Sequence, residues 1–183
     1  LFRVLKAEKG LPIASKISVV IGKAPYAGKG QSYEFKSAPL PALIKQINDY
    51  STNVAADGLF NYLGGTPAFA QYMEETYGVD NESIRFTTGS GLTGNYTTCE
   101  LTLRVLEHLN ESAQDRGLAI TDIMSVPTID PGVLKKRAID GEYAEALVAK
   151  SGFINYHHTL AGAINTRDGL AFFAIFTKYG TLA

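Results

Sequence analysis

The apolar positions of this chain change period partway along it. From about residue 37 to 112 they recur at i, i+3, i+4 and i+7, and beyond about residue 144 they gather into short runs. A period near 3.6 puts apolar side chains on one stripe of a helix, whereas unbroken runs of four to eight suit buried strands. In "SAPLPALIKQINDY" Leu40, Leu43, Ile44 and Ile47 mark a first helix, with Pro39 and Pro41 in its first turn, where a missing N–H costs little. Ala56, Leu59, Phe60 and Leu63 mark a second, starting at about Asn53 and stopped by Gly64-Gly65. "TPAFAQYMEETYG" predicts a third, with Thr66 as N-cap, Pro67 at the first helical position, and Phe69, Tyr72, Met73 and Thr76 on one face. "TTCELTLRVLEHLNES" predicts a fourth: Thr97 and Glu100 have capping-box spacing, and Leu101, Val105 and Leu109 form the apolar face.

The runs "EALVAKSGFI", "HTLAGAIN" and "GLAFFAIFT" predict three strands, the last two joined by the turn "TRDG". At the other end, "LFRVLKAEKG" (1–10) reads as the close of a helix and "KISVVIG" (16–22) as a short strand. "KAPYAGKGQSYEF" (23–35) reads as an exposed Gly-rich connection. A block of helices between strands predicts an α/β fold of the α+β kind. Antiparallel strands from both ends would then meet in one sheet flanked by helices.

Composition narrows the function classes. The 183 residues suffice for one domain, and 45% hydrophobic with 19% charged residues is a globular balance. A net charge of −1 lacks the basic excess of a nucleic-acid binder, so no nucleic-acid partner is expected. No apolar run approaches the roughly 20 residues of a bilayer-crossing helix, so no membrane span is expected in this segment. Cys99 is the only cysteine and reads as a small core residue. His157 and His158 alternate across a strand, and His108 has no partner at ligand spacing, so no metal site is expected.

The chemistry concentrates in two triplets. Lys150 interrupts an apolar strand, where an unpaired lysine is costly, and Ser151 and Gly152 follow it. Ser51 and Asn53 lie in the break between the first two helices. Taken singly, the first triplet is a helix cap and the second a snorkelling lysine beside a bulge. Taken in order, Ser51-Thr52-Asn53 and Lys150-Ser151-Gly152 resemble two of the three signatures of penicillin-binding serine peptidases: Ser-x-x-Lys, Ser-x-Asn and Lys-Thr/Ser-Gly. The "SAPL" at 37–40, Gly89-Ser90-Gly91-Leu92, Leu160-Ala161-Gly162 and the closing "GLAFFAIF" make the closer resemblance one to peptidase family S13. These are the D-Ala-D-Ala carboxypeptidase/endopeptidases of the DacB type, and the likeness covers nearly the whole chain.

That resemblance implies a penicillin-binding protein/β-lactamase-like transpeptidase fold, with residues 1–183 its C-terminal part and 1–12 the end of an inserted domain. It implies a serine-type D-Ala-D-Ala carboxypeptidase or endopeptidase that cleaves peptidoglycan stem peptides through an acyl-enzyme. Such an enzyme is inhibited by β-lactam antibiotics, needs no cofactor, and works in the bacterial periplasm or at the cell surface. By the same resemblance Ser51 relays a proton to the leaving amine and Asn53 holds a substrate amide. Lys150 projects into the cleft as a desolvated charge that attracts a carboxylate. Ser151 would hydrogen-bond that carboxylate, Gly152 would leave room for substrate along the strand, and the Phe153 N–H would complete an oxyanion hole. One departure matters: no serine in the 183 residues has lysine three positions later, so the nucleophile is expected on chain upstream of them. The alternative is a non-catalytic peptidoglycan-binding or scaffold protein that keeps the cleft without a nucleophile. A β-lactamase would need a water-activating carboxylate, and none can be assigned.

Overall fold

Four helices are followed by an antiparallel hairpin sheet, in a computed structural model that describes residues 36–80, 82–92, 94–137 and 144–178. The expected helix end at 1–10, strand at 16–22 and connection at 23–35 lie outside the described residues. The helices are α1 (Leu40–Tyr50), α2 (Asn53–Tyr62), α3 (Gly65–Tyr77) and α4 (Cys99–Gln114). The strands are β1 (Leu147–Ile154), β2 (His157–Thr166) and β3 (Gly169–Lys178), hydrogen-bonded in the order β1-β2-β3. Asn155 and Tyr156, with φ of 43° and 66°, form the two-residue turn between β1 and β2. Two successive left-handed residues match the twist of the flanking strands.

The register decides which residues share a face. Val148 pairs with Ala163 and Ala163 with Phe172; Lys150 pairs with Ala161 and Ala161 with Ala174. Directly opposite residues project to the same side of a sheet, so these six share one face. Val148 and Ala163 pack there against Leu106 and Ala113 of α4 and against Ile120, Met124 and Val126. Burying a side chain of Val or Leu size stabilises by about 1.5–3 kcal/mol, so this cluster ties the sheet to α4. Gly162 lets the strands close: a Cβ there would lie 2.1 Å from the carbonyl oxygen of Val148.

A second cluster joins α3 to α4 through Met73, Tyr77, Ile84 and Leu101. The Tyr77 hydroxyl and His108 Nδ1 are hydrogen-bonded at 2.9 Å, and Arg104 donates to the Tyr77 carbonyl at 2.9 Å. Burial, with the Tyr72 phenol close by, pushes the Tyr77 phenol up to about 12.

Several local expectations shift. The cap of α4 is Thr98, not Thr97: its side chain accepts from the Leu101 N–H at 3.1 Å, three residues on. Gly64, at φ 103° just past the C-cap Leu63, stops α2 as expected, with its N–H donating to the Asn61 carbonyl, while Gly65 already opens α3. Thr66 therefore does not cap α3, and its hydroxyl donates to the Phe86 carbonyl at 2.8 Å. Cys99 is exposed rather than core, because it stands at the first helical position, ahead of the buried stripe. The "LAFFAIF" strand is only half core: Phe172 packs inward, while Ile175 on the other face is 51% exposed.

Candidate functional site

The break between α1 and α2 is two residues long and sharply bent. Ser51 ends α1 in the left-handed region at φ 52°, ψ 53°, and Thr52 is extended before Asn53 starts α2. Non-glycine residues enter that region at a cost of roughly 1–2 kcal/mol, and such strain gathers at functional positions. Neither Ser51 nor Thr52 is a side-chain cap: no cap hydrogen bond is made at the start of α2. Instead the Ser51 hydroxyl accepts a hydrogen bond from Lys150 Nζ at 2.9 Å, across 99 residues of sequence. Lys150 Nζ also donates to the Ser151 carbonyl at 2.6 Å.

Ser51, Asn53 and Lys150 line one cleft of about 350 Å³, floored by Ile47, Phe60 and Phe69. Lys150 is half-buried and Asn53 exposed. An apolar floor under a lysine lowers the local dielectric and strengthens the reach of its charge. The opposing wall is Thr88, Gly89, Ser90 and Gly91. Gly89 lies so close to α2 that a Cβ would sit 2.4 Å from the Ala56 carbonyl oxygen. Asp57 of α2 accepts the Ser90 N–H at 2.8 Å. Asn95 accepts the N–H groups of Thr87 and Thr88 and returns a bond to the Thr88 carbonyl. The "GSGL" landmark is thus a wall tied to the helix that follows Ser51. Asp57 and Asn95, which tie it, carried no periodic or motif signal in the sequence.

The rest of the lysine triplet is distributed differently. Ser151 pairs with Leu160 on the sheet face opposite Lys150. Its side chain is buried, its hydroxyl has no hydrogen-bond partner among the described residues, and it lines a separate pocket of about 250 Å³ with Leu134 and Ile175. Gly152 shares the Lys150 face, and a Cβ there would meet the Thr159 hydroxyl oxygen at 2.4 Å, so its smallness already has a cross-strand cause. Phe153 is 58% exposed, with its ring 4.6 Å from that of His158. Its backbone is better placed than its side chain. The Ala149 N–H points away from β2, donating to the Ser125 carbonyl at 2.9 Å. Backbone groups alternate along an antiparallel strand, so the N–H groups of Ser151 and Phe153 face that same edge. Among the described residues, no strand of the sheet covers it.

Tyr156 sits 73% exposed at the hairpin tip. Among the described residues, no three His, Cys, Asp or Glu side chains are grouped to hold a metal ion. No helix among them is long and apolar enough to cross a membrane.

The fold is similar to that of several solved structures. The predatory peptidoglycan endopeptidase Bd3459 of Bdellovibrio bacteriovorus is 31% identical over 79% of this chain and 38% of its own, with a TM-score of 0.72. Bd0816, a predatory endopeptidase of the same organism, is 35% identical over 76% of this chain and 37% of its own, with a TM-score of 0.71. Penicillin binding protein 4 (dacB) of Haemophilus influenzae is 26% identical over 78% and 36%, with a TM-score of 0.64. Bd3459 has also been solved acylated by penicillin G in complex with the immunity protein Bd3460, and the Haemophilus protein with a β-lactam. The chain spans 36–38% of the length of these proteins. No curated protein sequence matches it. The fold is therefore that of the penicillin-binding proteins, its helices packed on an antiparallel sheet. The sequence model of the D-Ala-D-Ala carboxypeptidase 3 (S13) family matches residues 3–182, and the chain belongs to that family.

Proposed function

We propose that this chain supplies the proton relay and the substrate-binding strand of a serine-type D-Ala-D-Ala carboxypeptidase or endopeptidase acting on peptidoglycan stem peptides. The observation that carries the reading is the 2.9 Å hydrogen bond from Lys150 to Ser51, which joins the two signature triplets at one cleft. In this reading the nucleophile is the serine of a Ser-x-x-Lys on chain outside residues 1–183, where its lysine stands one helical turn away as base. Attack on the D-alanyl carbonyl forms an acyl-enzyme and expels the amine, which must gain a proton as it leaves. The Ser51 hydroxyl, polarised by the Lys150 ammonium, hands that proton on. Asn53 holds the scissile amide's neighbour through its carboxamide. The substrate lies antiparallel along the uncovered edge of β1, where the Phe153 N–H, with the nucleophile's own N–H, stabilises the oxyanion.

Ser151 takes a smaller part than the resemblance implies. Its hydroxyl is buried on the other face, so the substrate carboxylate is held by Lys150 and by the backbone of β1. β-Lactams acylate the same serine, a reading supported by the penicillin G acyl form of Bd3459. The place of action is the bacterial periplasm or cell surface, where the substrate is.

Fluorescent penicillin, together with release of D-Ala from a pentapeptide, tests the reading. The full-length protein labels covalently, and residues 1–183 alone do not. A full-length protein that folds but neither labels nor releases D-Ala would be a scaffold instead. Labelling of the isolated segment would put the nucleophile within it.

A further inference from the structure

Beneath the cleft, α1 turns a polar face toward the segment 123–133. Lys45, Asn48 and Asp49 fall at i, i+3 and i+4 and so share one side of the helix. Lys45 donates to the Met124 carbonyl at 2.6 Å and is ion-paired with Asp130 and, at 3.6 Å, with Asp49. Asn48 donates to the Ile123 carbonyl at 2.6 Å. Asp49 is 5% exposed and accepts the hydroxyl of Ser125, itself 3% exposed, at 2.5 Å. The Val133 N–H donates to the Asp49 carbonyl at 2.9 Å, and Gly132 packs against that carbonyl so tightly that no Cβ fits.

Ser125 also faces the sheet. Its carbonyl accepts the Ala149 N–H at 2.9 Å. Asp49 stands two residues before Ser51, and Ala149 one before Lys150. The contacts therefore form a closed circuit: Asp49 to Ser125, Ser125 to Ala149, Lys150 back to Ser51. α1 and β1 meet through this circuit 99 residues apart in sequence. A charge-assisted hydroxyl–carboxylate bond inside the protein is short, directional and stronger than a neutral one. It holds both backbones before the long Lys150 side chain makes its own contact, so the lysine gives up less freedom on reaching Ser51.

We infer that Asp49 and Ser125 are positioning residues that set the distance between Ser51 and Lys150; this rests on the reading of those two residues given above. Neither touches substrate. A displacement of about 1 Å in a proton-transfer site lowers turnover up to about a hundredfold, so loss of the strut falls on the acylation step and leaves penicillin binding nearly intact.

The test uses the full-length protein and fluorescent penicillin, with the rate split into non-covalent binding and acylation and corrected for folded fraction by circular dichroism. Ser125→Ala is expected to slow acylation by about ten- to a hundredfold while binding changes by less than about twofold. Ser125→Thr keeps the hydroxyl and recovers most of the rate. Asp49→Asn keeps the shape, slows acylation in the same sense, and serves if Ser125→Ala does not fold. In a Lys150→Ala background, Ser125→Ala adds less than about twofold, because residues acting through one contact are not additive. A lower melting temperature with unchanged acylation per folded molecule would overturn the inference, as would effects of Ser125→Ala and Lys150→Ala that simply multiply. If Ser51→Ala and Lys150→Ala themselves label at the normal rate, the functional reading falls and the inference with it. If those two variants are inert and Ser125→Ala is normal, only the strut is wrong.

Discussion

The two faces of the sheet are held by different means. The face bearing Val148, Lys150, Ala163 and Phe172 is packed on α4 and on the segment after it. The face bearing Ser151, Leu160 and Ile175 leaves Phe153 58%, Ile164 38% and Ile175 51% exposed. Lys150 and Ser151 are neighbours in sequence yet belong to these two worlds. Lys150 sits where a covered apolar face meets a polar helix end, with partners for its charge. Ser151 is buried with no hydrogen-bond partner among the described residues. The packed face fixes the backbone of β1, and that fixed backbone lets a flexible lysine meet one hydroxyl.

The comparison breaks first at Lys150. Lys150→Ala in the full-length protein is expected to raise the acylation barrier by about 2–4 kcal/mol, the range for loss of one preorganised charge, with little change in melting temperature. Lys150→Arg recovers only part, since a planar fork does not replace a compact ammonium. A large fall in melting temperature with near-normal acylation would instead make Lys150 a structural residue. Next comes the seam between β1 and β2. Gly162→Ala places a Cβ 2.1 Å from the Val148 carbonyl oxygen, and is expected to lower stability by about 3 kcal/mol and to slow acylation as β1 shifts. Unchanged thermal unfolding would show that the strands close with room to spare.

A matched pair then weighs the faces directly. Val148→Ala removes two buried carbons and should lower stability by about 2 kcal/mol in chemical denaturation, against less than about 1 kcal/mol for Ile175→Ala, half of which already meets solvent. Equal costs would mean that chain other than the described residues covers the second face. The smallest effect lies away from both faces. The Tyr77 phenol is raised from 10.0 to about 12, so its protonated form is favoured by folding. The stability it contributes is full below pH 10 and is lost as pH rises through about 12. Tyr77→Phe should cost about 1 kcal/mol at neutral pH, through the lost bond to His108, and should flatten the alkaline limb of the stability curve. An alkaline limb unchanged from the parent protein would assign that limb to other tyrosines.

Much of the fold is legible in the sequence because it is local. The i, i+3, i+4 pattern of Leu40 to Ile47 reports α1, and the runs after residue 144 report the strands, each within a few residues. Lys150 stands out because a lysine is the wrong residue type inside an apolar strand, whereas Ser51 stands out only because its triplet, in order with that of Lys150, resembles a family signature. What the sequence hides is long-range or one residue fine. Whether Thr97 or Thr98 caps α4 depends on which hydroxyl reaches the Leu101 N–H, and both look alike in a string. Leu109 shares the period of Leu101, yet is 37% exposed, because the stripe drifts and Leu106 takes the buried place. Asp49, Asp57, Asn95 and Ser125 bond to backbone or side-chain groups of other segments, and no periodicity announces such a partner. The opposite placement of Ser151 was implicit in strand alternation alone.

The left-handed bend at Ser51 limits which amino acids this corner can hold over evolutionary time. Serine and threonine carry the same hydroxyl, and a relay that needs only an O–H would accept either. A β-branched residue at φ 52° is a steric outlier, so threonine is barred from the position while serine is tolerated. One step later Thr52, at φ −83° and ψ 92°, occupies extended backbone where β-branching is comfortable. Exchanging the two residues would keep the composition and the count of hydroxyls, yet put the branched side chain where the backbone refuses it. At this corner the order serine then threonine is set by backbone geometry as firmly as the hydroxyl is set by chemistry.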